Sequence, residues 1–274
     1  MTTTFIGGGN MATALIGSLV AHGHPATAFR VVEPGADARL RLAGAFPGIA
    51  LFASCDRDAL AGATMVVLAV KPQQMRAAAT VLAAQLDAAP VVLTIAAGIR
   101  IADLSRWLGG HARIVRAMPN TPALIGKGIS GVYATAAVDA AGRDAATAVL
   151  QAAGEVLWVD AEERLDAITA VSGSGPAYVF HFLEALEEAA RAQGFAAADA
   201  RRLAYATFAG AVALAQRSEH DPATLRAQVT SKGGTTEAAL AAMQAAGVKA
   251  AIVAAVAAAA ARARELGDTF GRDD

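Results

Sequence analysis

Residues 7–12 read Gly7-Gly8-Gly9-Asn10-Met11-Ala12, a G-x-G-x-x-A string. Such a string is common by chance, but its surroundings here are restrictive. It follows a short apolar stretch, residues 2–6, that reads as a buried strand. It opens a segment, residues 10–22, whose apolar side chains (Met11, Leu15, Leu19) recur at helical spacing and which ends near Gly23. Strand, glycine turn and helix in that order are the opening unit of a parallel α/β sheet, so the chain is constrained from its first twenty residues.

The segments that follow keep that alternation. Residues 28–32 read as a second strand, and residues 64–70, Thr-Met-Val-Val-Leu-Ala-Val, as a continuous apolar strand of the kind covered on both faces. Residues 90–95 and 112–117 repeat the pattern. Helical segments such as 73–86 lie between, and residues 131–134 and 155–159 extend the sheet. Strands separated by helices pair in parallel through right-handed crossovers. After about Asp160 the strand signals stop, and residues 177–193, 198–217, 235–246 and 249–266 read as alanine-rich helices. The expected fold is therefore an α/β N-terminal Rossmann domain (residues 1–160, mainly parallel sheet, helices on both faces) followed by an all-α domain (residues 161–274). The last helix is apolar nearly all round over residues 250–261. In so small a helical domain this predicts one face buried against another subunit.

In a Rossmann unit the glycine string has a mechanical role. Gly7 permits the tight turn, Gly9 lets the backbone approach a pyrophosphate, and Ala12 lets the helix sit close to the strand. The helix N-terminus offers free N–H groups and a positive dipole to the phosphates. The residues expected to contact a dinucleotide here are Ile6, Gly7, Gly8, Gly9, Asn10, Met11 and Ala12. Glu33 ends the second strand, about 20 residues on, where an acid binds the adenosine ribose and repels a 2′-phosphate. Arg30, Arg39 and Arg41 are close enough in sequence to accept that phosphate, so NADPH and NADH both stay open. Ala69-Val70-Lys71-Pro72 and Ala96-Ala97-Gly98 end later strands at the edge where ligands of open parallel sheets bind; they are further cofactor candidates, the small residues leaving room for a flat ring. Each string would also serve as an ordinary strand-to-helix turn.

Three other strings invite chemistry. Two prolines bracket Asn120 in Met118-Pro119-Asn120-Thr121-Pro122, and the stiffened loop could present the Asn120 amide to a nicotinamide or a substrate. Ser172-Gly173-Ser174-Gly175-Pro176-Ala177-Tyr178 opens the first long C-terminal helix. Ser174 suits a cap and Pro176 the first helical turn, while the paired glycines suggest a close approach to the backbone. Thr230-Ser231-Lys232-Gly233-Gly234-Thr235-Thr236 precedes another helix. Its glycines and hydroxyls make a cradle for a carboxylate, although helix capping alone would use several of them.

Composition narrows the partners. At 55% hydrophobic and 17% charged residues the chain is not disordered. A formal net charge of -1 with scattered Lys and Arg provides no nucleic-acid face and no polybasic membrane patch. Residues 250–261 fall far short of the ~20 needed to span a bilayer. The start of the chain lacks the basic n-region of a signal peptide, and the lone Cys55 permits no internal disulfide. Together these predict a cytoplasmic protein. The five histidines show no metal-ligand spacing.

Taken in order, the strings FIGGGNMA, LAVKPQ, AAGI, RAMPNTPALIGKG, AVSGSGPAYVF and VTSKGGTTEAAL, spread over residues 5–240, resemble the pyrroline-5-carboxylate reductase family. The resemblance implies hydride transfer from NADPH or NADH to the C=N carbon of 1-pyrroline-5-carboxylate, giving L-proline in the last step of its biosynthesis. It implies a helical domain that forms a homodimer, with dimers assembling into a decamer. It places the substrate carboxylate on Ser231, Gly233, Gly234, Thr235 and Thr236, with the start of the SGSGPAY helix closing the pocket. A cyclic imine is most electrophilic when protonated, so few catalytic side chains are needed beyond those that hold it against the nicotinamide. Ser174 and His181 are the candidate catalytic residues. His181 follows Phe180, where some relatives carry a hydroxyl residue, and imidazole titrates near neutrality; a helix histidine at a subunit contact is the other reading. Lys232 stands where the family often has proline.

Two alternatives compete. Hydroxy-acid dehydrogenases of similar layout place a catalytic lysine on the first C-terminal helix, and residues 177–188 contain none. A dinucleotide-sensing or pyridoxal-phosphate-binding module would explain the glycine turn but not the second cradle at residues 231–236.

Overall fold

The structure, a computed structural model, describes residues 2–272. Eight strands form one sheet: β1 Thr3–Ile6, β2 Phe29–Val32, β3 Ala50–Phe52, β4 Met65–Leu68, β5 Val91–Thr94, β6 Ile114–Met118, β7 Gly128–Ala134 and β8 Gly154–Trp158. Their order across the sheet is β3-β2-β1-β4-β5-β6-β7-β8. Pairing is parallel except between β6 and β7. That exception follows from the connection. Between β6 and β7 the chain makes only a 3-10 turn, Thr121–Ile125, with no crossover helix to return it to the far end of the sheet.

The helices in this half are α1 Asn10–Ala21, α2 Ala36–Ala45, α3 Arg57–Leu60, α4 Pro72–Ala83, α5 Ile101–Trp107 and α6 Ala140–Gln151. Two apolar cores form, one per sheet face. Met65 and Val67 of β4 join Leu15 and Ile16 of α1 in the first. Val66 and Leu68 join Met75 and Leu82 of α4 and Leu104 of α5 in the second. Alternate side chains of one strand thus feed opposite cores, which is why the strand reads as an unbroken apolar run.

The remaining helices are α7 Arg164–Ile168, α8 Gly175–Ala192, α9 Ala197–Gln216, α10 Pro222–Gln228, α11 Thr235–Ala245 and α12 Val248–Phe270. A π-helical stretch, Thr169–Gly173, links α7 to α8. The chain divides into two compact units, one running to Ser174 and resuming at Ala259, the other Gly175–Ala258. The change of texture near Asp160 coincides with the end of β8, but residues 164–174 stay with the sheet. Leu165 and Ala170 are fully buried there, and Ile168 occupies the space that a side chain at Gly131 of β7 would need. The end of α12 also joins the first unit, with Ala263 and Gly267 buried. Among the described residues no single helix is long and apolar enough to cross a membrane.

Arg116 is the charged exception inside the apolar run of β6. It is 4% exposed and pairs with Glu162 at 2.7 Å and Asp166 at 3.6 Å. Glu162 also accepts the Ile101 N–H at the start of α5, so one buried ion cluster ties α5 and the segment leading into α7 to the sheet.

Candidate functional site

The turns after β1, β4 and β5 lie side by side, because Ile6 pairs with Leu68 and Leu68 with Thr94. From β1 the chain proceeds outward to β2, and from β4 outward to β5 on the other side. The β1/β4 boundary is therefore the switch point at which open α/β sheets bind ligands. Gly7 has φ +99°, and a Cβ there would lie 2.9 Å from the Ala69 carbonyl oxygen. Beyond it the crowding ends: a Cβ on Gly9 would meet no atom within 4 Å. Gly9 is the N-cap of α1 and no side chain caps that terminus. An exposed glycine before uncapped helical N–H groups is what a pyrophosphate requires, so the residues present fit a dinucleotide.

Glu33 is not a free loop carboxylate. One oxygen accepts the Gly8 N–H at 2.9 Å and the other the Gly35 N–H at 2.8 Å. The side chain braces the fingerprint turn against the loop after β2, and each oxygen keeps a lone pair for a ribose hydroxyl. Arg39 donates to the Glu33 and Pro34 carbonyls, and Arg30 to that of Ala61.

After β4, Ala69 donates its N–H to the Ile6 carbonyl, Val70 follows, and Lys71 occupies the N-cap position of α4 without a side-chain capping bond, with Pro72 at the first helical position. After β5, Ala96 is buried and Ala97 half-buried. Gly98 has φ +74°, and the space its Cβ would take is filled by the Phe270 ring at 3.0 Å. The room expected for a flat ring at Gly98 is thus taken on that side by the chain's own last helix, which no local signal in Ala96-Ala97-Gly98 announces.

Asn120 is buried and committed at both ends. Its Nδ2 donates to the Ser172 carbonyl at 3.1 Å, and its Oδ1 accepts the Ile129 N–H at 2.9 Å. The loop aims this amide at main chain on both sides, which the sequence alone does not show. Ser174 is likewise not the N-cap expected of it. It has helical angles, φ −84° and ψ −20°, and its N–H closes the π turn onto Thr169 at 2.8 Å. The helical path already runs from Arg164, so there is no fresh terminus at Ser174 to cap. His181 lies on an open face of α8, 82% exposed, with Glu184 at 3.7 Å.

In the second unit, Ser231, Gly233, Gly234, Thr235 and Thr236 form the turn into α11. Gly233 has φ +74°, Gly234 is the N-cap, and no side chain caps from that position. The Gly233 N–H donates to Glu237 at 2.7 Å and the Gly234 N–H to the Ser231 carbonyl at 3.0 Å. Sequence reasoning passed over Glu237, although an acid three residues past a helix cap is the signature of a side chain reaching back.

Two family models match the chain: pyrroline-5-carboxylate reductase dimerisation over residues 162–266, and NADP oxidoreductase, coenzyme F420-dependent, over residues 2–98. The pyrroline-5-carboxylate reductase of Pseudomonas aeruginosa is 47% identical over 268 residues, covering 98% of this chain and 97% of that one. The chain belongs to the pyrroline-5-carboxylate reductase family. The reductase of Synechocystis is 37% identical over 264 residues, covering 96% of this chain and 97% of the relative. A solved pyrroline-5-carboxylate reductase from Coxiella burnetii superposes with a TM-score of 0.90 at 36% identity, covering 97% and 98% of the two chains. A Plasmodium falciparum pyrroline carboxylate reductase solved with NADP bound shares the fold, with a TM-score of 0.86 at 24% identity and the same coverage.

Proposed function

We propose that this protein reduces 1-pyrroline-5-carboxylate to L-proline with NADPH or NADH, the last step of proline biosynthesis. The observation that carries the proposal is the open Gly9 backbone at the uncapped start of α1, at the switch point of a sheet whose chain is related over its full length to reductases of that name. The bound dinucleotide supplies the hydride. Residues 1–160 bind it through Ile6, Gly7, Gly8, Gly9, Asn10, Met11 and Ala12, with Glu33 at the ribose and Ala69, Val70, Lys71, Pro72, Ala96 and Ala97 near the ring.

Residues 161–274 bind the substrate and form a homodimer, with dimers building a decamer in the cytoplasm. Ser231, Gly233, Gly234, Thr235 and Thr236 hold the substrate carboxylate. That the Gly233 N–H already donates to a carboxylate, that of Glu237, supports the chemistry assigned to this loop. Fixing the carboxylate fixes which ring carbon faces the hydride, and this positioning supplies most of the acceleration. Ser174 and His181 are the candidates for keeping the ring nitrogen protonated. Glu33 disfavours a 2′-phosphate, so NADH is the preferred donor.

The test is oxidation of NADH and of NADPH, measured separately with 1-pyrroline-5-carboxylate. Turnover with a preference for NADH is expected. Folded protein that binds dinucleotide without turnover would overturn the assignment and leave only the cofactor domain.

A further inference from the structure

Pro176 creates a problem that Asn120 answers. In a helix the carbonyl of Ser172 would accept the N–H of the residue four positions on. That residue is Pro176, which has no N–H. The carbonyl lies in the π-helical stretch, partly buried, and a main-chain oxygen without a donor is costly there. The Asn120 Nδ2 supplies the missing donor at 3.1 Å. It is itself held from behind, since its Oδ1 accepts the Ile129 N–H at 2.9 Å. A second contact joins the same two segments: Met118 of the loop that carries Asn120 packs on Gly173, where a Cβ would lie 2.7 Å from its Cε.

We infer that Asn120 is a positioning residue for the reaction: it stands in for the N–H that Pro176 lacks and fixes the main chain of Ser172–Ser174. The π turn survives because of this side-chain donor. Extra-residue turns in helices recur at functional sites because they re-aim the residues that follow them. Here those residues are Ser174 and Tyr178. The inference rests on the reductase reading, because its consequence is read in turnover.

Three variants test it: N120A, N120D and the double variant N120A/P176A. N120D keeps an acceptor for the Ile129 N–H but turns a carboxylate oxygen toward the Ser172 carbonyl. N120A is expected to lower kcat about tenfold, with NADH affinity unchanged. N120D is expected to be worse than N120A, although it is closer in shape. Alanine at position 176 restores a main-chain N–H, so the loss caused by N120A should be clearly smaller in the P176A background. Hydrogen exchange over residues 169–178 should speed up in N120A.

If N120D equals or exceeds N120A, or if the N120A loss is the same in both backgrounds, the inference is wrong. Unchanged exchange over 169–178 overturns it as well. If N120A does not fold, recovery of folding in the double variant supports the inference and its failure opposes it. Wild-type protein without turnover would sink the reductase reading instead, and the exchange measurement alone would then decide the role of Asn120.

Discussion

The two compact units bury their apolar residues very differently. The sheet-containing unit encloses two cores, with Phe5, Leu15, Met65, Leu68 and Leu93 among side chains that are fully buried. In the helical unit, Ala200 and Ala204 are the buried hydrophobics among the described residues, while Phe180 is 60% exposed and Val253 63%. Alanine is the best helix former and favours these helices, but isolated helices of this length are marginal in water, so the uncovered faces still need packing. The apolar surface left uncovered in this unit is what a dimerisation domain has to offer.

The contrast can be broken most directly at the helical surface. Val253→Asp places a charge on that apolar face and should weaken self-association at least about a hundredfold, seen by sedimentation, with turnover falling in parallel. A variant that remains dimeric would show that this stretch of α12 lies outside the interface. The wild-type melting temperature should rise with protein concentration, as it does when folding and association are coupled. The sheet-containing unit should instead be sensitive at a single internal point. Arg116→Ala leaves Glu162 and Asp166 without their buried partner and should cost about 3–5 kcal/mol in denaturant unfolding, with no dependence on protein concentration beyond that of the wild type.

Smaller effects sharpen the picture. Glu33→Gln removes the charge facing a 2′-phosphate and one of two amide acceptors. The ratio of kcat/KM for NADPH over NADH should rise about tenfold, and no change would remove Glu33 from cofactor selection. The smallest effect compares matched caps. Asp139 caps α6 in the first unit and Asp221 caps α10 in the second. The Gly142 N–H, then Arg113, holds the Asp139 carboxyl below the usual range; the Thr224 N–H, then its hydroxyl, does the same for Asp221. In both cases folding favours the charged form. The stabilisation is therefore present above the ordinary carboxylate pKa and is lost as pH falls through the lower folded value. Asp139→Asn and Asp221→Asn keep an acceptor without the charge. Each gap to wild type should shrink on acidification, as followed by thermal melts across pH.

What could be read in advance depended on distance along the chain. β1, β4 and β5 were legible because strands covered on both faces are written as short apolar runs between glycine and proline signals. The turn at Gly7 was legible because its conformation requires glycine. β3 went unplaced because Ala50–Phe52 is too short to carry a period. The π stretch disrupts helical spacing without a residue of its own to mark it. The partners of Asn120, Arg116 and Gly98 lie far along the chain, at Ser172, Glu162 and Phe270, and local reading does not reach them. Glu33 shows the finer limit: its position was legible, but its two amide bonds were not.

The passage of α12 from one unit into the other has a consequence for how the molecule is made. Translation delivers residues up to Ser174 first, then the whole helical unit, and only afterwards residues 259–272 that complete the first unit. Phe270, which seats on Gly98, is translated after the whole helical unit. Domains generally mature in the order of synthesis, but this one is interrupted. The loop beside the cofactor cradle gains its final cover after every other part of the sheet has been translated.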